Sequence, residues 1–203
     1  MTGGQKRGGD ALTEEVWIRK AQGGDETAFR RLVERYSPVV WTVINRMVGD
    51  ASVAEDLFQE TVIRFWRGLP SFQGASKLST WLYRIAYRVC LDGIEASGRH
   101  GQWVSLDEQL EPHGEWFTDE DASGARLESR LAAKDAVRRA LDRLDPEWRT
   151  MVILHYWRGL SMEEIAQIVD RPANTVKVYL HRARALLRRH LESGGWPEGA
   201  SSG

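Results

Sequence analysis

Apolar residues recur along this chain at spacings of three and four, and in the N-terminal half no strand-like alternation competes with that period. The pattern predicts helices over Leu12 to Ala21, Glu26 to Tyr36 and Val39 to Val48, separated by Gly23-Gly24-Asp25 and by Ser37-Pro38. A fourth helix is expected to open at Ser52, with Glu55 completing a capping box, and to run to Arg67. Its inner stripe is Ala54, Leu57, Phe58, Thr61, Val62 and Phe65. Asp56, Gln59, Glu60 and Ile63 fall on the far side, with Glu55 and Trp66 at its edges. Beyond the loop LPSFQGASK, a fifth helix is expected from about Ser79 to Ala96. Trp81, Leu82, Ile85, Ala86 and Val89 form its packing side, and Tyr83, Arg84, Tyr87 and Arg88 project the other way.

The C-terminal part carries a more particular signal. Ser161 with Glu164 forms a capping box, and Ile165, Ala166 and Val169 repeat at helical spacing until Asp170, Arg171 and Pro172 stop the helix and restart the chain. In the second helix Val176, Leu180, Ala183 and Leu187 share one stripe, which leaves Asn174, Lys177, Val178, His181, Arg182 and Arg188 opposite. From Arg171 to His190 there are six Lys or Arg and no Asp or Glu. A helix-turn-helix with a phosphate-facing second helix follows, the competing reading being an amphipathic hairpin with a solvated basic face.

Charge segregation changes the picture more than the net charge of −1 does. Residues 101–125 hold no Lys or Arg and seven Asp or Glu, whereas residues 126–192 hold 14 basic against nine acidic groups. The acidic block contains Pro and several Gly and keeps no sustained period, so it reads as a linker. An all-α chain of two small helical domains is therefore expected, an N-terminal bundle and a C-terminal helix-turn-helix. Expected boundaries are a disordered tail at 1–10, the first domain at 11–97, the acidic linker at 98–126, the second domain at 127–192 and a flexible tail at 193–203. No apolar run approaches a bilayer span, and the polar, glycine-rich N-terminus lacks a signal-peptide pattern. The lone Cys90 excludes an internal disulfide and fits a reducing cytosol.

Three patches carry candidate chemistry. Carboxylates beside Ile63 and Trp66 suggest a protein-docking surface, although a solvated helix face with one stray aliphatic would show the same residues. Interleaved Tyr and Arg on the fifth helix suit unstacked bases, with rings for stacking and guanidinium groups for phosphates, although ordinary helices also carry them. A stand-alone helix-turn-helix regulator would explain the basic C-terminal face but leaves the Asp56, Gln59, Glu60, Ile63 set without a purpose. Asp56 and Glu60 could form half of a metal site in a bundle, yet Glu-x-x-His is missing, the five histidines are scattered and no glycine-rich phosphate loop stands out. No catalysis, cofactor or metal is expected. His181, on an arginine-rich face, reads as a phosphate or base contact or as simply solvated.

Taken together, AEDLFQETVIRFWR (Ala54 to Arg67), FQG (Phe72 to Gly74), TWLYRIAYRVCLD (Thr80 to Asp92) and EIAQIVDRPANTVKVYLHRAR (Glu164 to Arg184) resemble bacterial sigma factors of the extracytoplasmic function (ECF) group, in order and over nearly the whole chain. The resemblance implies a specificity subunit that supplies address and strand opening while RNA polymerase supplies the chemistry. It implies that Glu55, Asp56, Gln59, Glu60, Ile63 and Trp66 meet the β′ clamp helices of the core enzyme. Phe72, Lys77, Tyr83, Arg84, Tyr87 and Arg88 would belong to the part that melts the minus-ten element and captures a flipped base. Arg171, Asn174, Thr175, Lys177, Val178, His181, Arg182, Arg184 and Arg188 would bind the minus-thirty-five duplex. The acidic connector resembles the segment threaded toward the RNA exit path. Further implied partners are the β flap and an anti-sigma factor, with a cytoplasmic location. The family commonly has Asn at the place of Arg88 and Ser-Arg at the place of Val178-Tyr179, so the base captured and the minus-thirty-five sequence do not carry over.

Overall fold

The structure is a computed structural model that describes residues 5–97 and 127–193. The expected acidic linker lies outside the described residues, as do the two chain ends. Among the described residues every regular element is helical, and none of these helices is long and apolar enough to cross a membrane. The chain divides into two compact units, the first ending at Gly93.

The first unit begins with α1 (Gln5–Gln22) and α2 (Glu26–Val48). α1 starts before the expected Leu12 and runs through Gly8 and Gly9, since a formed helix extends into flanking residues at one hydrogen bond per residue added. Asp25 caps α2 by accepting the Ala28 N–H at 3.0 Å. α2 then continues through Pro38, where a break was expected. Pro38 removes one donor and is itself exposed. The hydroxyls of Ser37 and Thr42 donate to the carbonyls of Val33 (2.6 Å) and Pro38 (2.7 Å) on either side of it. Val40, Val43, Ile44 and Met47 beyond the proline are buried, as is Leu32 before it, so burial on both sides keeps the helix continuous through the defect. Gly49, at φ 72°, ends the helix with its N–H on the Asn45 carbonyl.

α3 (Ala51–Gly68) is capped by Asp50 rather than by the expected Ser52 and Glu55 box. The Asp50 carboxylate accepts from the Ser52 and Val53 N–H groups at 2.9 and 3.2 Å, which places Ser52 inside the first turn. A 3₁₀ turn (Leu69–Ser71) and a loop lead to α4 (Leu78–Ala96). The core gathers Leu32, Ile44, Met47, Phe65 and Leu69, each at most 1% exposed, and Phe65 lies against Phe29 and Trp81 at ring distances of 5.0 and 5.9 Å.

The second unit contains α5 (Leu127–Asp142), α6 (Pro146–Val152) continued by a π-helical turn (Ile153–Trp157), α7 (Met162–Val169) and α8 (Ala173–Ser193). α8 packs on α5, α6 and α7. Its buried stripe is Val176, Leu180, Ala183, Leu186 and Leu191. Leu186 takes the place expected of Leu187, which is only partly buried against Ala136, Ala140 and Leu191. Asp145 caps α6 ahead of Pro146, a start signal present in the sequence as Asp-Pro-Glu. The buried Arg149 joins α5 to α6. Its guanidinium donates to the Asp142 carbonyl at 2.7 Å and faces the Asp142 carboxylate at 3.2 Å.

Candidate polymerase and nucleic-acid interfaces

The far side of α3 is an open surface. Asp56 and Gln59 are exposed, Ile63 is 42% exposed and Trp66 37%, and spacings of three, four and three residues put these four along one edge of the helix. Glu55 stands exposed beside them. The Trp66 ring is not loose, because it packs in a T-shaped pair with the Phe29 ring, centroids 4.6 Å apart. Glu60 differs from the others. It is half-buried and holds Arg64 at 2.7 Å, and Arg64 reaches on to Asp92 of α4 at 2.8 Å. That chain of charges links α3 to α4 and orients the Glu60 carboxylate toward Arg64.

The loop before α4 is held by a side chain that the sequence pattern did not single out. Nε2 of Gln22, at the end of α1, donates to the carbonyls of Leu69 (3.1 Å) and Phe72 (2.7 Å). Phe72 is half-buried, with its ring 5.0 Å from Trp81, so it anchors the loop instead of standing open. Between these anchors and α4, Gln73, Gly74, Ala75 and Lys77 are exposed.

α4 departs most from the expectation. Tyr83 and Tyr87 are buried, at 4% and 6% exposed, and present no stacking face in this state. The reason is legible in hindsight: Tyr83, Tyr87, Cys90 and Ile94 form a second stripe at spacings of four, three and four, all buried, beside Leu78, Leu82, Ala86 and Val89. A helix that buries two stripes uses the apolar body of tyrosine for packing. Arg84 is half-buried and Arg88 is exposed. Burial pushes the Cys90 thiol up to about 12, which leaves it protonated and unreactive at neutral pH.

In the second unit the helix-turn-helix forms as its sequence predicts. The Ser161 hydroxyl accepts from the Glu164 N–H at 3.2 Å, and the Glu164 carboxylate accepts from the Ser161 N–H at 3.1 Å. Asp170 turns the chain at φ 59°, with its N–H on the Ala166 carbonyl, and α8 restarts after Pro172. Trp148 of α6 stacks on Tyr179 at 5.0 Å and 30°. Tyr179 is therefore turned toward the protein and is not a group offered outward. Asn174, Lys177, Val178, Arg182 and Arg188 are exposed, whereas Thr175, His181 and Arg184 are half-buried. Two of the expected DNA contacts already have acidic partners. Arg171 grips Glu147 of α6 through Nε at 2.7 Å and Nη2 at 3.3 Å, and Arg188 pairs with Glu192 at 2.8 Å.

One unit thus bears an acidic and apolar helix edge and the other a basic helix-turn-helix, the content of a two-domain DNA-binding protein. The Sigma-70 region 2 family matches residues 32–100, and the Sigma-70 region 4 family matches residues 134–187. The ECF RNA polymerase sigma-E factor of Salmonella typhimurium is 35% identical over 187 residues, spanning 90% of this chain and 96% of that protein. The ECF RNA polymerase sigma factor SigW of Bacillus subtilis is 32% identical over 185 residues, spanning 86% and 94%. In fold, the chain is similar to the sigma factor RpoE of Bartonella quintana, solved in complex with the anti-sigma factor NepR. That TM-score is 0.59 at 24% identity, over 81% of this chain and 96% of the other. The chain belongs to the ECF RNA polymerase sigma factors. It directs promoter recognition and transcription initiation by RNA polymerase.

Proposed function

We propose that the two units divide the work of a sigma factor between named surfaces. The α3 edge of Asp56, Gln59, Ile63 and Trp66, with Glu55 and the oriented Glu60, docks on the β′ clamp helices of the core enzyme. A patch that joins open apolar area to carboxylates suits a partner surface that is both apolar and basic. The loop carrying Lys77, together with Arg88 and the half-buried Arg84, follows the minus-ten strand. Phe72, Tyr83 and Tyr87 set the shape of that surface from beneath, and a tyrosine reaches a base only if α4 opens. The N-terminal half of α8, with Asn174, Thr175, Lys177, Val178 and His181, enters the major groove of the minus-thirty-five element, and Arg182 and Arg184 hold phosphates. Arg171 and Arg188 join them by exchanging Glu147 and Glu192 for DNA phosphate.

The segment 98–126 is the acidic connector between the domains, and the second domain is also the contact for the β flap. The protein works in the cytoplasm, has no chemistry of its own, and is held in check by an anti-sigma factor that covers these faces. The observation that carries the reading is the pairing, in one chain, of the open acidic and apolar edge on α3 with the outer face of α8, which up to His190 holds Lys and Arg and no Asp or Glu. Reconstitution with core polymerase tests it. Asp56→Ala with Ile63→Ser should reduce core binding and leave the promoter preference of the surviving holoenzyme unchanged. Lys177→Ala with Arg182→Ala should do the reverse. Loss of both properties in either variant would reject the division.

A further inference from the structure

We propose that Val178 reads the 5-methyl group of a thymine in the major groove of the minus-thirty-five element. The proposal rests on the assignment of α8 as the minus-thirty-five helix and names the chemical group that one of its side chains recognises.

Val178 is 45% exposed, and from Asp135 to Ser193 it is the one large apolar side chain left open to this degree. Its neighbours on the outer face are Asn174, Lys177, His181 and Arg182, all polar. The rotation of the helix is fixed from behind. Val176 is fully buried, and Tyr179 is stacked on Trp148, so Val178 cannot roll inward without breaking both contacts. It is the sixth residue of α8, within the part of a recognition helix that reaches base edges.

The side chain also suits the task. A β-branched residue in a helix has one strongly preferred χ1, so its two methyl groups form a stiff knob at a defined angle. Valine contributes less to helix formation than the Lys or Arg around it, and open solvent offers an exposed aliphatic group nothing in return. Of the groups the four bases display in the major groove, only thymine offers an apolar one. The polar neighbours match donor and acceptor patterns, whereas Val178 matches the methyl.

Removing that methyl and nothing else tests the idea. Holoenzyme reconstituted from core polymerase and the full chain would first select promoters from a library randomised across the minus-thirty-five region. In the preferred promoter, each thymine of that element is then replaced singly by deoxyuridine, which keeps every hydrogen-bonding group. One replacement should weaken wild-type binding by about fourfold, the ratio that burial of one methyl-sized group supplies. Val178→Ser should be indifferent to that replacement, while Val178→Ile and Lys177→Ala stay sensitive to it. Melting curves would confirm that the exposed substitutions leave the fold unchanged. Indifference of the wild type to every deoxyuridine, while base-pair swaps in the same element still weaken binding, would overturn the methyl contact and leave the role of α8 standing. Sensitivity retained by Val178→Ser would overturn it equally. A selection that returns no preferred minus-thirty-five element would reject the role of α8, and the methyl contact with it.

Discussion

Replacing Trp66 with alanine should weaken binding to core polymerase by about an order of magnitude, by the following reasoning. The side chain is 37% exposed, and its remainder lies in the first unit in a T-shaped pair with Phe29. Aromatic side chains bury about 150–250 Å² each, so the open part of Trp66 amounts to roughly 55–90 Å². Covering that area at about 25 cal/mol per Å² contributes about 1.5–2 kcal/mol, or roughly 10- to 30-fold in Kd. The same substitution removes the inner part of the ring and should destabilise the first unit by about 2–3 kcal/mol, somewhat less than a full Trp→Ala change in a core. Ile63→Ser separates the two effects, because Ile63 is 42% exposed and is not among the buried residues of the core. It should lower affinity by several-fold at nearly unchanged melting temperature. Titration of labelled chain with core enzyme, with a melting curve for each variant, provides the measurement. If both folded variants bind within twofold of wild type, the α3 edge is not the docking surface.

Three further outcomes follow from the geometry. Asp50→Ala should cost about 1 kcal/mol of stability in chemical denaturation and Ser52→Ala less than about 0.5, since Asp50 is the cap; the opposite ranking would restore the Ser52 box. The Cys90 thiol, held near 12 by burial, should resist alkylation at pH 8 in the folded protein and react on addition of denaturant; rapid labelling of the native chain would contradict the burial of α4. His190 is held below its ordinary value, first by burial and then by Arg143 and Arg189, so the unfolded chain takes up a proton before the native one does. Part of the stability should therefore be lost as pH falls through about 6.5, the unfolded value, and His190→Gln should flatten that segment of a melting-temperature profile between pH 8 and 5.

Features whose partners lie within a few residues were legible from the chain alone. The Ser161 and Glu164 box, the Asp170 to Pro172 break and the outward basic residues of α8 depend on spacings of three and four, and each stands in the structure as the sequence implies. Membership of the ECF sigma factors was likewise readable, because it rests on the order of local motifs. Errors arose where two local signals competed or where a residue has two natures. Asp50 and Ser52 are both good caps, and only the actual start of the helix chooses between them. Tyr83 and Tyr87 can serve solvent or core, and the burial of a second face of α4 decided for the core.

The sequence by itself determined the helical class, the two-part division of charge and the outward basic residues of α8, because periodicity and composition are properties of the chain. Tertiary structure decided that α2 continues through Pro38, since apolar residues are buried both before and after the proline. It also decided that Gln22 pins a loop some fifty residues away and that Glu60 is bound through Arg64 to Asp92. Tertiary packing likewise turned Tyr179 inward onto Trp148 and left Val178 open. These pairings join residues distant in the chain, and helical spacing carries no information about which distant group will stand opposite.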